Sequence, residues 1–346
     1  PRHHWHDVGG RFFSDLMALN IGRWPNKGTP SIWSNRSSPA LHGRTGTVGH
    51  INFREQGIYG SELLRRASDI TGINSIILGQ FNELSFSQEQ LREYWDGLSE
   101  GAIAELKAIL SVADGFSEST MNDLTDTAWQ QIYQHTEATN KLRAIHCLEN
   151  EGYRTTSLAI TGRGDLERAL ELYHPDLVIH ATVANEDEIE MLSAQQVNVV
   201  LNPRANANLG LPLLPIAASL ESQANLLLGT DNGLLNSPNL LAELDFTYKV
   251  AKSQFGDALR PDPVDILKMA TSNLGKALGG DIYGFLEVGL PADFAVLNFH
   301  PPTCGQLVTF WPRSSPAPPQ IMCWQPFARA RCCISTVILN WGLKKS

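Results

Sequence analysis

An α/β fold closed into a (β/α)8 barrel is the architecture that the sequence predicts, on three observations. Short apolar runs alternate with longer helix-like segments between residues 47 and 300, a pattern typical of βα units around a parallel sheet. Seven runs have strand character, so one more strand at the N-terminal edge would complete a barrel. Polar residues suited to catalysis lie at or just after the ends of three of these runs. A doubly wound open sheet is the alternative, although no GxGxxG follows any run.

The strand candidates are six or seven residues long and rich in valine, isoleucine and leucine. In chain order they are TVGHINF (47–53), NSIILG (74–79), AILSVAD (108–114), RAIHCL (143–148), DLVIHAT (176–182), VNVVLN (197–202) and NLLLGT (225–230). Apolar residues at helical spacing lie between them, most clearly at 61–70, 124–142 and 164–173.

Composition and charge narrow the class of protein. The chain has 346 residues, 42% of them hydrophobic, and a net charge of −9 with no basic block, which argues against a nucleic-acid partner. No stretch approaches the roughly 18 apolar residues of a membrane span, and the N-terminus lacks the apolar region of a signal peptide. Five cysteines form no CxxC pair. We therefore expect a cytoplasmic protein with a small-molecule partner and no membrane contact; a homo-oligomer is an open alternative.

The two ends of the chain differ from its body in composition. Residues 301–346 contain no Asp or Glu, seven of the 19 prolines and four of the five cysteines. Residues 1–46 are irregular, with three tryptophans and little periodicity. We expect both ends to be frame-shifted or truncated relative to a natural gene. A basic terminal extension is the alternative.

Side chains of the types that bind metals lie at or just after the ends of three strand candidates. His146 and His180 lie inside the fourth and fifth candidates, and Asp231 directly follows the seventh. The carboxyl ends of barrel strands meet on one face, where barrel enzymes carry their active sites. His and Asp are ligands of zinc and similar divalent ions. Glu149, three residues after His146, is a candidate proton shuttle beside such an ion.

Each of these residues also has a plain structural explanation. A histidine at a strand end is often structural, Asp231 could cap the next helix, and Glu149 could be a solvated residue of a first helical turn. Cys147 points away from His146 on the same strand, so we predict that it packs in the barrel wall and is not a nucleophile.

Taken as an ordered set, the motifs resemble those of the amidohydrolase superfamily, the metal-dependent hydrolases with a (β/α)8 barrel. Within it they most resemble the branch that contains cytosine, guanine and S-adenosylhomocysteine deaminases and triazine hydrolases. The stretches that carry the resemblance are IHCLENEG, LVIHATVANEDEIEML, VNVVLNPRANANLGLPLLPI, LLLGTDNGLLNSPNLLAEL, DILKMATSNLGKALG and GFLEVGLPADFAVLN.

The resemblance implies a role for each motif residue. His146 resembles the fifth-strand metal ligand, and Glu149 the glutamate that contacts the substrate and shuttles a proton. His180 resembles the sixth-strand histidine that orients the attacking water, and Asp231 the eighth-strand aspartate that is both metal ligand and general base. The fourth-strand region AILSVADG has no lysine that could bridge two metals. One divalent ion is therefore implied, Zn²⁺, with Fe²⁺ as the alternative.

Further site residues are expected from the first two family strands. The family carries an H-x-H pair on its first strand, and His4 and His6 are the H-x-H of this chain. They lie without an apolar strand before them, so residues 1–46 would hold a damaged first barrel strand. Arg54, at the end of the second family strand, is expected to contact the substrate.

The resemblance also divides the chain into segments. The barrel would span residues 47–283, followed by the return strand of a small β-sandwich domain at 284–300 and the atypical tail at 301–346. The activity implied is hydrolysis of a non-peptide C–N bond in a small cyclic substrate by metal-activated water, in the first place a deamination. The alternatives are a ring-opening amidohydrolase and a catalytically impaired barrel that acts as a binding protein.

Overall fold

Seven parallel strands form a single sheet in the computed structural model of the chain, which describes residues 46–295 except 83, 85, 94, 234, 281–283, 286 and 292. The strands follow one another in the sheet in chain order, and each pairs in parallel with the next. They are β1 Gly49–Arg54, β2 Asn74–Gly79, β3 Gly115–Glu118, β4 Leu142–Cys147, β5 Leu177–His180, β6 Asn198–Leu201 and β7 Leu226–Leu228.

Helices connect these strands on one face of the sheet. They are α1 Gly57–Thr71, α2 Gln88–Glu93, α3 Glu100–Val112, α4 Asp126–Ala138, α5 Glu151–Thr161, α6 Asp165–Arg168, α7 Glu186–Ala194, α8 Pro203–Asn208, α9 Ile216–Glu221, α10 Leu240–Phe255, α11 Pro263–Met269 and α12 Ser272–Ala277. A π-helical turn, Ala169–Tyr173, continues α6, so the helix predicted at 164–173 is confirmed.

Alternate residues of the strands pack into two separate apolar layers. Ile76 and Leu78 of β2 lie in an interior cluster with Leu227 of β7, whereas Ile77 lies in the larger cluster between sheet and helices. Side chains from both edge strands of a seven-stranded sheet share this interior cluster only if the sheet curls. The architecture is therefore a curled α/β sheet of the barrel type, with the larger apolar cluster between sheet and helices and the smaller one inside the curl.

The eighth strand predicted for the barrel would lie between β7 and β1, which are the two edges of the described sheet. Residues 1–45 lie outside the described part of the chain, so this strand stays a prediction.

The third strand lies later in the chain than the sequence predicts. Residues 108–114 were expected to form it, but most of them belong to α3, and β3 begins at Gly115. The Ser99 side chain caps α3 by accepting from the Ala102 backbone N–H, and the helix turns Leu106, Ile109 and Leu110 into the core. An apolar run of this kind fits a helix or a strand, and here the helical spacing of the buried residues prevails.

The helix predicted at 124–142 also ends early. Helix α4 stops at Ala138, and Asn140 adopts a left-handed backbone with φ of 50°. The chain then enters β4 at Leu142. The left-handed backbone at Asn140 prevents the helix from continuing, so the last predicted helical residues lie in the loop and at the start of β4.

The described residues between 284 and 295 contain no strand, so the predicted return strand of a β-sandwich is not confirmed. The tail 301–346 lies outside the described residues. No helix in the described part combines the length and apolarity needed to cross a membrane.

Candidate active site

Left-handed backbone conformations mark the carboxyl ends of the strands that carry the candidate residues. Leu148, directly after β4, has φ of 53°, and His180 and Ala181 at the end of β5 have φ of 72° and 49°. Asp231, three residues after β7, has φ of 58°. Such conformations cost about 1–3 kcal/mol for residues other than glycine, and they cluster at functional sites.

His146 faces the interior of the curled sheet and is fixed from behind. Its Nδ1 lies 3.1 Å from the backbone oxygen of Glu118, and since a carbonyl only accepts, Nδ1 carries the proton. Its ring packs against Phe53 at 5.1 Å and His180 at 5.4 Å between centroids. Burial, and then the neighbouring His180, lower the pKa of His146. A neutral ring with a free Nε2 is the form that binds a metal.

His180 is 3% exposed and lies between two polar partners. Its Nδ1 is 3.0 Å from Oδ1 of Asn206, and its Nε2 is 3.7 Å from Oε1 of Glu149. The backbone turn at His180 breaks the alternation of β5, in which Leu177 and Ile179 already face the interior. That turn is what aims the ring toward Glu149 and His146.

Glu149 precedes α5, and each of its two carboxylate oxygens faces a polar group. The hydroxyl of Tyr153, one helical turn later, donates to Oε2 at 2.9 Å, while Oε1 faces His180. The negative charge of Glu149 also acts on His146, whose pKa it raises against the effect of burial. The structure thus brings His146, Glu149 and His180 together, as their strand-end positions predict.

Asp231 lies at the edge of this group and is exposed. Its Oδ1 accepts from the backbone N–H of Asn232 at 2.6 Å. Its charge is close enough to raise the pKa of His146 and, separately, of Glu243. Asp231 therefore belongs to the same region without touching the histidines.

The remaining predicted site residues are not part of the described group. Arg54 ends β1, where Nε donates to the Gly60 backbone oxygen at 3.3 Å and an Nη to Gln56 at 3.2 Å. No described contact joins Arg54 to the group, so its contact with substrate stays a prediction. His4 and His6 lie outside the described residues.

Two further residues of the site, Tyr153 and Asn206, were not predicted and are found through their hydrogen bonds to Glu149 and His180. Tyr153 could have been noticed because it stands four residues after Glu149, one turn on if a helix begins there. Asn206 gives no such signal, because 26 residues separate it from His180.

Glu118 was missed for another reason. It ends β3, a strand that the sequence analysis placed too early, so its strand-end position went unnoticed. Its carboxyl accepts from the Phe81 backbone N–H at 3.1 Å, and burial raises its pKa to about 8. Its backbone oxygen holds His146.

Cys147 is buried in the layer between sheet and helices, on the side of β4 opposite His146. Burial raises the pKa of its thiol well above the ordinary value. The prediction that Cys147 packs in the wall and is not a nucleophile fits this position, because a reactive cysteine needs an accessible thiolate.

The side chains of this group include types that bind a divalent metal. Within the described residues, no three His, Cys, Asp or Glu side chains come together as a metal-binding group. His146 nevertheless has the outer-shell arrangement of a ligand, with Nδ1–H given to a carbonyl and Nε2 without a described hydrogen-bond partner. His146 thus has the chemistry of a metal ligand, and the described residues by themselves do not complete a metal site.

Comparison with known proteins identifies the family. A sequence profile of the amidohydrolase family matches residues 34–328, so the chain belongs to the amidohydrolase family. A protein of Methanothermobacter thermautotrophicus, provisionally named an aminohydrolase, is 36% identical over 254 residues, which cover 73% of this chain and 62% of that protein. The 5-methylthioadenosine/S-adenosylhomocysteine deaminase of Syntrophobacter fumaroxidans is 34% identical over 163 residues, 46% of this chain and 37% of the deaminase. The chain thus spans less than two thirds of these relatives.

Solved structures agree on the fold. A zinc-bound adenosine deaminase of Xanthomonas campestris superposes with a TM-score of 0.71 at 20% identity, over 85% of this chain and 66% of that one. The atrazine chlorohydrolase of Arthrobacter aurescens, complexed with zinc, gives a TM-score of 0.70 at 16% identity, over 85% and 70% of the two chains. At these identities the likeness supports the barrel-type fold alone.

Proposed function

We propose that the chain is a metal-dependent hydrolase that cleaves a non-peptide C–N bond of a small cyclic substrate, in the first place by hydrolytic deamination. One observation carries the proposal: the Glu149 carboxylate lies between His180 Nε2 and the Tyr153 hydroxyl, beside the ring of His146. A carboxylate that accepts one fixed hydrogen bond and lies beside two histidines suits proton transfer.

His146 and Asp231 would hold the metal, with His4 and His6 as the further ligands. Zn²⁺ suits a set of histidines and one carboxylate, and Fe²⁺ is the alternative. When bound, the ion would lower the pKa of a water towards ~7, so that this water could lose a proton at neutral pH and become a nucleophile.

The protein residues then divide the proton transfers. Asp231 accepts one proton from the attacking water and returns it to the departing amino group. Glu149 delivers the second proton to the ring nitrogen next to the attacked carbon. His180 orients the attacking water. One water is consumed, and ammonia and a carbonyl product are released.

Deamination is favoured over ring opening by the pairing of Glu149 with His146 in an H-x-x-E motif. A ring nitrogen must be protonated before an exocyclic amine leaves, and a carboxyl beside the attacked carbon serves this step. The deaminase names of several relatives support the same choice.

The test is ammonia release from a panel of aminated purines, pyrimidines and triazines with Zn²⁺ present. Glu149→Gln is expected to lower kcat by about 10²–10⁴-fold, because the side chain keeps its shape but loses its proton transfer. Glu190→Gln, an exposed change on α7, is the matched control and should leave the rate unchanged. No ammonia from any substrate, together with an inert Glu149→Gln, would reject the proposal.

A catalytically impaired binding protein is the second candidate, because Asp231 is exposed and no described group of three ligands is complete. Metal content after purification separates the two. Stoichiometric zinc or iron that is lost in His146→Ala favours the enzyme. A folded protein without metal, even after Zn²⁺ is supplied, favours the binding protein.

A further inference from the structure

Asn206 touches the catalytic group from behind, through the nitrogen of His180 that faces away from Glu149. Its Oδ1 lies 3.0 Å from His180 Nδ1, and the two side chains are 2% and 3% exposed. Water is therefore a poor competitor for this hydrogen bond, which makes it a strong constraint on the ring.

The position of Asn206 is itself fixed by the local backbone. Its N–H donates to the Asn202 oxygen at 3.0 Å in the first turn of α8, and its oxygen accepts from Leu211 at 2.9 Å. Leu213, Leu214 and Ile216 line the small cavity beside it. The amide thus stands on a short rigid turn against an apolar wall, a construction suited to holding a neighbour.

The direction of this hydrogen bond determines which ring nitrogen carries the proton. An amide oxygen only accepts, so Nδ1 of His180 must be the donor. A neutral imidazole protonated at Nδ1 has its lone pair at Nε2, the nitrogen 3.7 Å from Glu149 Oε1.

We propose that Asn206 is a positioning residue that fixes the Nδ1–H tautomer of His180, so that Nε2 presents a hydrogen-bond acceptor beside Glu149. This inference rests on the proposed function and deepens it. The 3.7 Å separation is longer than a hydrogen bond, so Nε2 is left to accept a hydrogen bond from the attacking water.

The tautomer can be measured without turnover. The full chain, labelled with ¹⁵N in histidine and loaded with diamagnetic Zn²⁺, is observed by long-range ¹H–¹⁵N correlation, and His180 is assigned by the signals missing in His180→Asn. We expect the protonated, pyrrole-type nitrogen of His180 to be Nδ1. A pyrrole-type Nε2 in the wild-type protein overturns the proposal.

Two variants separate positioning from a merely structural role. Asn206→Asp keeps an acceptor at the same place and should retain both the Nδ1–H tautomer and most of kcat. Asn206→Leu removes it and should lose the tautomer preference, with kcat lower by about 10–100-fold and little change in KM. Ala207→Leu, the next residue along and exposed, is the control.

The outcomes are distinct from those of the proposed function. An Asn206→Asp variant that loses its tautomer and activity as fully as Asn206→Leu overturns the inference, as does an Asn206→Leu variant with an unchanged tautomer. If Asn206→Leu does not fold, the wild-type spectrum and Asn206→Asp still decide. If no substrate is turned over, the proposed function fails, whereas the tautomer result stands on the spectrum alone.

Discussion

Three candidate side chains at the strand ends are each held by a hydrogen bond with a neighbouring residue. His146 is fixed by the Glu118 backbone, His180 by Asn206, and Glu149 by Tyr153. The residue types and the strand-end positions predict which groups do chemistry. Their orientation depends on contacts between segments 26 or more residues apart in two of the three cases. Local pattern carries no information about such contacts.

The hydroxyl of Tyr153 is expected to matter because it is the fixed partner of Glu149 Oε2. Tyr153→Phe removes one hydrogen bond to a charged group, worth about 1.5–3 kcal/mol, and should lower kcat by about 10–100-fold while the fold persists. Steady-state ammonia release measures the change. Tyr59→Phe, an exposed change on α1, is the control. A Tyr153→Phe enzyme with wild-type kcat would show that Glu149 needs no such support.

Glu243 on α10 makes stability depend on pH. Burial raises the pKa of its carboxyl from 4.5 to about 7, although Arg204 lies 3.4 Å away. The folded state therefore holds this proton more tightly than the unfolded state. Its contribution is complete below pH about 4.5 and is lost as the pH rises through about 7. The wild-type free energy of unfolding should fall over this range.

Glu243→Gln removes this titration and keeps a polar side chain of the same shape. Urea unfolding at pH about 4.5 and about 8 should show a smaller loss for the variant, by about 1–3 kcal/mol. Glu190→Gln should follow the wild type at both values. Parallel pH dependences of wild type and Glu243→Gln would contradict the assignment.

Secondary-structure elements lie where the sequence predicts them wherever the hydrophobic periodicity and the signals for the ends of elements agree. The β4 and β5 strands and the helix into Tyr173 were predicted where they lie. The third strand was wrong because residues 108–114 are apolar enough for either structure. A side-chain cap at Ser99, nine residues earlier, begins the helix that absorbs them. An apolar run of seven residues cannot be assigned from its own composition.

The cap of α4 offers a test at this scale. Thr125 is fully buried, accepts from the Ala128 backbone N–H at 3.1 Å and donates to the Asp96 backbone oxygen. Thr125→Ala should lower the free energy of unfolding by about 1–2 kcal/mol, because both backbone groups lose their partner. Urea denaturation provides the measurement. Thr155→Ala, exposed within α5, should cost much less, and equal losses would contradict the capping role.

The whole molecule is a curled sheet whose two edges, β1 and β7, flank the place predicted for one further strand. His146 lies near the end of β4 and Asp231 three residues after β7, and the predicted ligands His4 and His6 would come from the predicted eighth strand. A metal there would join segments from both ends of the barrel, so binding should stabilise the fold as a whole.

Metal removal tests this coupling. A chelator should lower the Tm of the purified protein, and Zn²⁺ at about 100 times its Kd should restore about 2.7 kcal/mol of stability. His146→Ala and the double variant His4→Ala/His6→Ala should bind less zinc and show a smaller response. His135→Ala on α4 is the control. A double variant with full zinc content would exclude His4 and His6 as ligands.

The sequence by itself determined the class of fold and the positions of His146 and His180 at neighbouring strand ends, because alternating apolar runs and the polar residues at their ends are local patterns. Only the tertiary structure decided that residues 108–112 are helical, that His180 turns at a left-handed backbone to meet Glu149, and that Asn206 and Tyr153 hold this pair. The reason is physical: these outcomes depend on packing and hydrogen bonds between strand ends, which the chain acquires only when the sheet curls.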